Sequence, residues 1–304
     1  MLDFNGILEN CGYGKDEPPS VILANIAKLE EFYSSDELVQ IYNYFLLNIK
    51  NFEVLKGIVK NSSLYKSNET LSILLNILLK KEETTESDEY TDLRVACAKV
   101  ISEYKDASTL KDLLHCLNDK NENYKIRLAC ADALGRIGDS YAVKPLIDVV
   151  QDENEKSVYV KESATFALGL IGDTSAIDPL VAIMDAKQGI WDKFTFLKEK
   201  IVEVLGMLNI NNDKVLRVLK NSLMDVSPMV RINAIEALMN SEYEEAPELI
   251  RKALHDEDYE VCRNALVALY NIEGRDILEE VISLPCYSDA LKQEAENIIK
   301  EYEE

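Results

Sequence analysis

The sequence predicts an all-α fold, an α-solenoid (superhelix) of stacked antiparallel helical hairpins. Two observations predict it. The stretch from Ile126 to Val150, IRLACADALGRIGDSYAVKPLIDVV, and the stretch from Val160 to Met184, VKESATFALGLIGDTSAIDPLVAIM, align without a gap at an offset of 34 positions. Inside each copy the apolar residues recur at helical spacing. One hairpin cannot bury its apolar faces alone, so the copies must lean on their neighbours.

Each copy divides into two helices and a turn. Ile126, Cys130, Ala133, Leu134 and Ile137 form one apolar stripe, and Val160, Ala164, Ala167, Leu168 and Ile171 repeat it. Gly138-Asp139 and Gly172-Asp173 then supply a residue suited to a left-handed helix end and a carboxylate able to cap the next helix. A second stripe follows: Ala142, Val143, Leu146, Ile147 and Val150, matched by Ala176, Ile177, Leu180, Val181 and Met184. Pro145 and Pro179 predict an irregular first turn in that second helix, because proline lacks the N–H and crowds the preceding turn. Gly135 and Gly169 cost about 1 kcal/mol each relative to alanine inside the first helix, which predicts a close approach by a neighbouring helix.

Taken in order, residues 1–17 read as an N-terminal arm, with Gly6, Gly12 and Gly14 interrupting any helix. Cys11-Gly-Tyr-Gly14 contains a GxG, but no strand precedes it, so a flexible or docking arm is favoured over a phosphate loop. The single solenoid spans 18–304. Its 18–89 portion holds degenerate hairpins with helices near 19–32, 36–49, 52–61 and 69–81, the first hairpin acting as a cap. Residues 82–92 carry six acidic side chains and no basic one, which predicts an exposed loop. Regular repeats occupy 90–287. They align on a basic residue that opens each first helix: Arg94, Arg127, Lys161, Lys198 and Arg231, then Cys262 with Arg263 beside it, then Lys292. The spacings are 33, 34, 37, 33, 31 and 30. Residues 288–304 form a C-terminal capping helix. The spacing of 37 marks an insertion at 185–193 that carries Trp191, followed by Phe194 and Phe196. Insertions in repeat stacks fall on one face, and exposed aromatics there make good anchors for a partner; the alternative is that Trp191 packs back onto the stack and fills the gap.

Composition narrows the function. The chain has 304 residues and is 47% hydrophobic, enough for a continuous core, and its formal net charge is -22. Such a surface repels phosphate backbones and anionic membranes and favours a basic partner. Lys214, Arg217 and Lys220 make only a partial basic stripe. Six cysteines are scattered without a CxxC or Cys/His cluster, which argues against zinc and for buried free thiols in a reducing, cytoplasmic setting. No apolar run is long enough to span a membrane, and no basic leader opens the chain. No Walker loop, GxSxG or HExxH occurs, and the stretch from Asp152 lacks the glycine and glutamate of a calcium loop. No catalytic residue, cofactor or metal is assigned.

The units 94–118, 126–151, 160–185, 197–224, 230–255 and 261–283 resemble HEAT repeats. The pattern V/I-R/K-xx-A-xxx-ALGxIGD-xxAxxPLI is similar to the HEAT-like repeats of the phycobilisome lyase group. The two central copies carry it, while Asn209-Ile210 and Tyr243 depart from the Gly-Asp turn. The resemblance implies ladders between repeats, in which Asp106, Asp139 and Asp173 pair with Arg94, Arg127 or Lys161. It also implies a curved face of second helices where Lys111, Asp112, Asp148, Asp178, Arg217 and Arg251 are exposed to a protein or peptide partner. HEAT-like relatives include a di-iron hydroxylase that needs His-Glu pairs in its first helices. The matching positions here hold Leu128-Ala129 and Glu162-Ser163, and the only histidines are His115 and His255. HEAT-like DNA glycosylases need a basic concave face, which the charge does not supply. The expectation is a non-enzymatic scaffold or adaptor without nucleic-acid binding. The alternatives are a bilin-lyase-like chromophore-maturation chaperone and a docking subunit of a larger enzyme complex. Oligomeric state stays open.

Overall fold

The computed structural model describes residues 2–80, 87–186 and 195–303. Among the described residues all regular structure is helical, and the chain divides into two compact units, Met1–Val149 and Val150–Glu304. The fold class is an all-α, HEAT-like solenoid of helical hairpins.

The first unit contains α1 (Phe4–Asn10), α2 (Pro19–Ala27), α3 (Ser35–Asn48), α4 (Phe52–Asn61), α5 (Asn68–Leu79), α6 (Asp88–Tyr104), α7 (Leu110–Asn118), α8 (Tyr124–Ile137) and most of α9 (Val143–Gln151). Helices α2, α4, α6 and α8 pack in succession as one layer, and α1, α3, α5 and α7 as the other. The second unit contains α10 (Val158–Ile171), α11 (Ile177–Asp185), α12 (Thr195–Leu208), α13 (Asp213–Ser222), α14 (Pro228–Met239), α15 (Ala246–Lys252), α16 (Tyr259–Glu273), α17 (Asp276–Ser283) and α18 (Asp289–Glu303). There α10, α12, α14, α16 and α18 pack in succession, and α11, α13, α15 and α17 each pack on the first helix that follows.

Local chemistry sets these boundaries. Ser67, Ser87, Asn123, Ser157, Asn212 and Asp258 each precede a helix and accept a hydrogen bond from a backbone N–H of its first turn. Gly138 and Gly172 close α8 and α10 with φ of 78° and 74°. Asp139 and Asp173 then cap a single 3-10 turn, which leads into the second helix with Pro145 or Pro179 at its third position. The same 3-10 turn, Ala107–Thr109, precedes α7, where Asp112 holds the third position, so the turn accommodates proline and is not created by it. The stripes are buried as their spacing predicts: Ile126, Cys130, Leu134, Val160, Ala164 and Leu168 are all inaccessible to solvent. Each buried leucine or isoleucine contributes about 1.5–3 kcal/mol. A methyl group on Gly169 would sit 3.1 Å from Met207 and Val204, so this glycine does admit the neighbouring α12.

Two turns keep the repeat's backbone without its sequence. Lys105 after α6 and Asn209 after α12 both have positive φ, 51° and 41°, where the central repeats use glycine. Tyr243 replaces a turn aspartate by reaching the preceding turn: its hydroxyl donates to Ile210 O at 3.0 Å or Asn212 O at 2.9 Å and accepts from Asn212 N at 3.0 Å.

Two expected loops are partly helical. Within 1–17, α1 forms despite Gly6, because Asp3 caps Gly6 N and Ile7, Leu8 and Cys11 are buried. Phe4 stacks on Tyr44 at 5.0 Å, and the Tyr44 hydroxyl donates to Asn5 at 2.6 Å, so this segment is docked on α3. Within 82–92, α6 starts at Asp88, with Ser87 as its cap and Asp88 and Glu89 in the first turn, where carboxylates complement the helix dipole. Residues 82–86 lie outside the described residues.

Candidate functional site

The repeated basic residues act as keys between hairpins. Arg94 is fully buried: its Nε donates to Leu78 O at 2.7 Å, at the end of α5, and its two terminal nitrogens hold both oxygens of Glu122 at 3.2 and 2.6 Å. Arg127 Nε donates to Leu117 O at 2.8 Å, at the end of α7. Lys161 Nζ donates to Val150 O at 2.8 Å and Asp152 O at 2.6 Å. Arg231 donates to Asp225 O at 2.8 Å and pairs with Asp256 at 2.7 Å, and Lys198 reaches Asp225 at 3.5 Å. Even Cys262 keeps half of this role, since its thiol donates to Asp256 O at 3.2 Å. For Arg94, Arg127, Lys161, Arg231 and Cys262 the donor thus meets the carbonyl end of the preceding second helix or the loop after it.

The expected partners were different. Asp106, Asp139 and Asp173 do not pair with Arg94, Arg127 or Lys161. Their carboxylates accept the backbone N–H of Ser108, Tyr141 and Ser175 at 2.8, 2.8 and 2.9 Å. These short local bonds satisfy the turn first. The bond from the backbone of Ser108 holds the Asp106 carboxyl below its usual range, and bonds from Ser175 do the same for Asp173.

The second helices carry a further ladder that the sequence did not reveal. Lys214 meets Asp178 at 2.7 Å, Arg217 meets Asp185, Lys220 meets Glu245 at 2.6 Å, and Arg251 meets Glu280 at 2.7 Å as well as Glu273. Asp178, Arg217 and Arg251 therefore knit neighbouring hairpins together. The partial basic stripe of Lys214, Arg217 and Lys220 is matched acid for base. Asp148 pairs with Lys144 one turn away in α9. Lys111 is exposed and Asp112 half-buried on α7, with no ion-pair partner among the described residues.

The aromatic insertion is described only in part. Trp191 and Phe194 lie outside the described residues, and Phe196 is 65% exposed in the first turn of α12. Phe196 has counterparts. Tyr159 on α10 and Met229 on α14 are 57% and 50% exposed, and each of the three stands two residues before its repeat's basic key. Met224 and Val226, in the α13–α14 connection, are 78% and 90% exposed. Three successive repeats of the second unit thus carry an apolar row where the first helices begin, and Glu260 ends it in the next repeat. Aligning the repeats on Lys161, Lys198 and Arg231 would have shown it: the same column holds Asp92 and Lys125 in the earlier repeats.

Most of the cysteine thiols are buried. Burial pushes the Cys97 thiol far above its usual range, and contact with Cys116 together with burial does the same for Cys130. Of the six cysteines only Cys286 is exposed. His255 stacks on Tyr287 at 5.0 Å, and His115 lies exposed in the last turn of α7. Among the described residues no three His, Cys, Asp or Glu side chains gather as metal ligands, and no helix is long and apolar enough to cross a membrane.

Known proteins place this architecture. Among solved structures, Kap95p in its complex with RanGDP aligns with a TM-score of 0.61 at 14% identity, over 98% of this chain and 46% of that one. Kap121p bound to Pho4p aligns with a TM-score of 0.53 at 12% identity, over 91% of this chain and 38% of that one. The CpcE–CpcF complex of phycocyanin lyase from Nostoc sp. PCC7120 aligns with a TM-score of 0.49 at 21% identity, over 79% of this chain and 90% of that one. This chain spans less than half the length of the two Kap proteins, and the likeness is one of fold. No curated protein matches it in sequence. The family described as HEAT repeats matches residues 82–159, 120–191 and 192–270, more than half of the sequence, and the chain belongs to that family.

Proposed function

We propose that this protein is a non-enzymatic HEAT-repeat scaffold whose second unit grips a protein partner along the apolar row of Tyr159, Phe196 and Met229. The row is the single observation that carries the reading. Large apolar side chains that repeat in register and stay half or more exposed, with Met224 and Val226 more exposed still, are costly to leave open to water. Aromatic and methionine side chains are the types enriched at interface centres. The second-helix charges support the same choice by elimination, since Asp178, Arg217 and Arg251 are committed to neighbouring hairpins. Trp191 and Phe194, close in sequence to Phe196, extend the proposed anchor set. The net charge of -22 favours a partner with basic residues around an apolar segment.

The test is affinity capture from the source cell with the wild-type chain and with a Tyr159→Ser, Phe196→Ser, Met229→Ser variant. The expected result is a polypeptide retained by the first and lost by the second, with the helical melting profile unchanged. Retention by both would move the interface elsewhere. A bilin-lyase-like chaperone role is the second reading, and it rests on the repeat pattern in 126–184. It predicts a new visible absorbance band when a bilin is added to the purified protein. Copurification of a catalytic subunit would make the scaffold the docking arm of a larger enzyme.

A further inference from the structure

The first unit carries an oppositely charged feature. Between α4 and α6 runs a groove of about 550 Å³ lined by Lys56, Lys60, Asp92, Val95, Ala96, Lys99, Val100 and Glu103. Its floor is apolar: Ala96 and Val100 are buried and Val95 is half-buried. Its walls carry three lysines against two carboxylates. Lys56 is paired with Asp92 at 3.1 Å, and Lys66 donates to Glu103 O at 2.7 Å at the groove's end. Lys60 and Lys99 are exposed, and their ammonium groups have no partner among the described residues. The dipole of α4 explains a lysine at position 60, in that helix's last turn, but gives no reason for Lys99.

We infer that this groove is a second docking site and takes an acidic amphipathic protein segment, laying its apolar face on Val95, Ala96 and Val100 and its carboxylates against Lys60 and Lys99. Two facts select that occupant. In a chain of net charge -22, a concave strip with more lysines than carboxylates is a local reversal of sign, and reversal at a groove favours an anionic partner by field and by exclusion of basic ones. The floor then separates peptide from nucleic acid. A sugar-phosphate backbone has no apolar face for it. An amphipathic helix presents both chemistries at i, i+3 and i+4 spacing.

The test uses the full chain and a fluorescein-labelled helical peptide of leucine, alanine and glutamate, with the leucines on one face. Anisotropy should show binding that weakens with added salt, as exposed charge pairs require. A Lys60→Glu, Lys99→Glu variant should lose about tenfold in affinity, while Lys60→Arg, Lys99→Arg keeps it. The Tyr159→Ser, Phe196→Ser, Met229→Ser variant should bind this peptide like wild type, which separates failure of this site from failure of the apolar row. A melting curve for each variant excludes misfolding as the cause of a loss. The proposal is overturned if charge reversal leaves affinity unchanged, if a peptide with serine in place of leucine binds equally well, or if single-stranded oligothymidine binds more tightly than the peptide.

Discussion

The two layers of hairpins use the same currency of charge in opposite ways. In the first layer Arg94 and Glu122 are 1% and 4% exposed, the contact is bidentate, and a helix-end carbonyl takes a third donor. In the second layer Arg217 and Asp185 are 54% and 43% exposed and share a single contact. Both link successive hairpins, yet water competes for one and is excluded from the other. The difference teaches that position in the stack, not the pairing of signs, decides which charges hold the register. Arginine and lysine also divide the work. Arg94 forks between a carboxylate and a carbonyl, whereas Lys161 gathers Val150 O and Asp152 O with one ammonium.

The largest break should come from Arg94→Ala. It takes the guanidinium from the buried Glu122 carboxylate, which keeps the bond from Asn123 N, and frees Leu78 O; a cost of about 3–5 kcal/mol is expected by urea unfolding. The sharper form replaces both partners, Arg94→Met with Glu122→Leu, and should recover most of that loss. If the single variant costs no more than a surface pair, the contrast between layers is wrong.

The turn aspartates come next. The folded carboxyls of Asp106 and Asp173 lie below the ordinary value of 3.8, so the unfolded chain takes up protons first as pH falls. Their contribution is full above that value and is lost as pH falls from it through the lower folded values. Unfolding midpoints measured against pH should fall less steeply in acid for Asp106→Asn, Asp173→Asn than for wild type. The smallest effect is expected from Arg217→Ala, within about 1 kcal/mol and smaller still in high salt.

The stack itself was legible because its signals are local. Helical spacing, the Gly138 and Gly172 ends and the capping aspartates all act within a few residues. Lys105, Asn209 and Tyr243 look like departures because a left-handed end or a turn anchor can be built from more than one side chain. The segment α1 was misread for the opposite reason: Gly6 speaks against a helix locally, but burial of Ile7, Leu8 and Cys11 overrules it. The ladders were misassigned because their acids sit 25–28 residues beyond the keys, in loops of varying length, while the turn aspartates beside each hairpin are the more regular charges. Of the candidate surface, Phe196 was visible as an aromatic near an insertion. Its relation to Tyr159 and Met229 is visible only when repeats are laid over one another, since each residue alone is an ordinary surface position.

The glycine at 206 sets a limit on how this stack can drift. A methyl group there would come within 2.8 Å of Ala237 Cβ and 3.1 Å of its Cα, so α12 and α14 touch nearly backbone to backbone. Enlarging either residue pushes a whole hairpin outward, and the displacement would be handed along to every neighbour beyond it. Gly206 and Ala237 are thereby coupled, and added bulk at either position is accommodated only by a wider seam between α12 and α14.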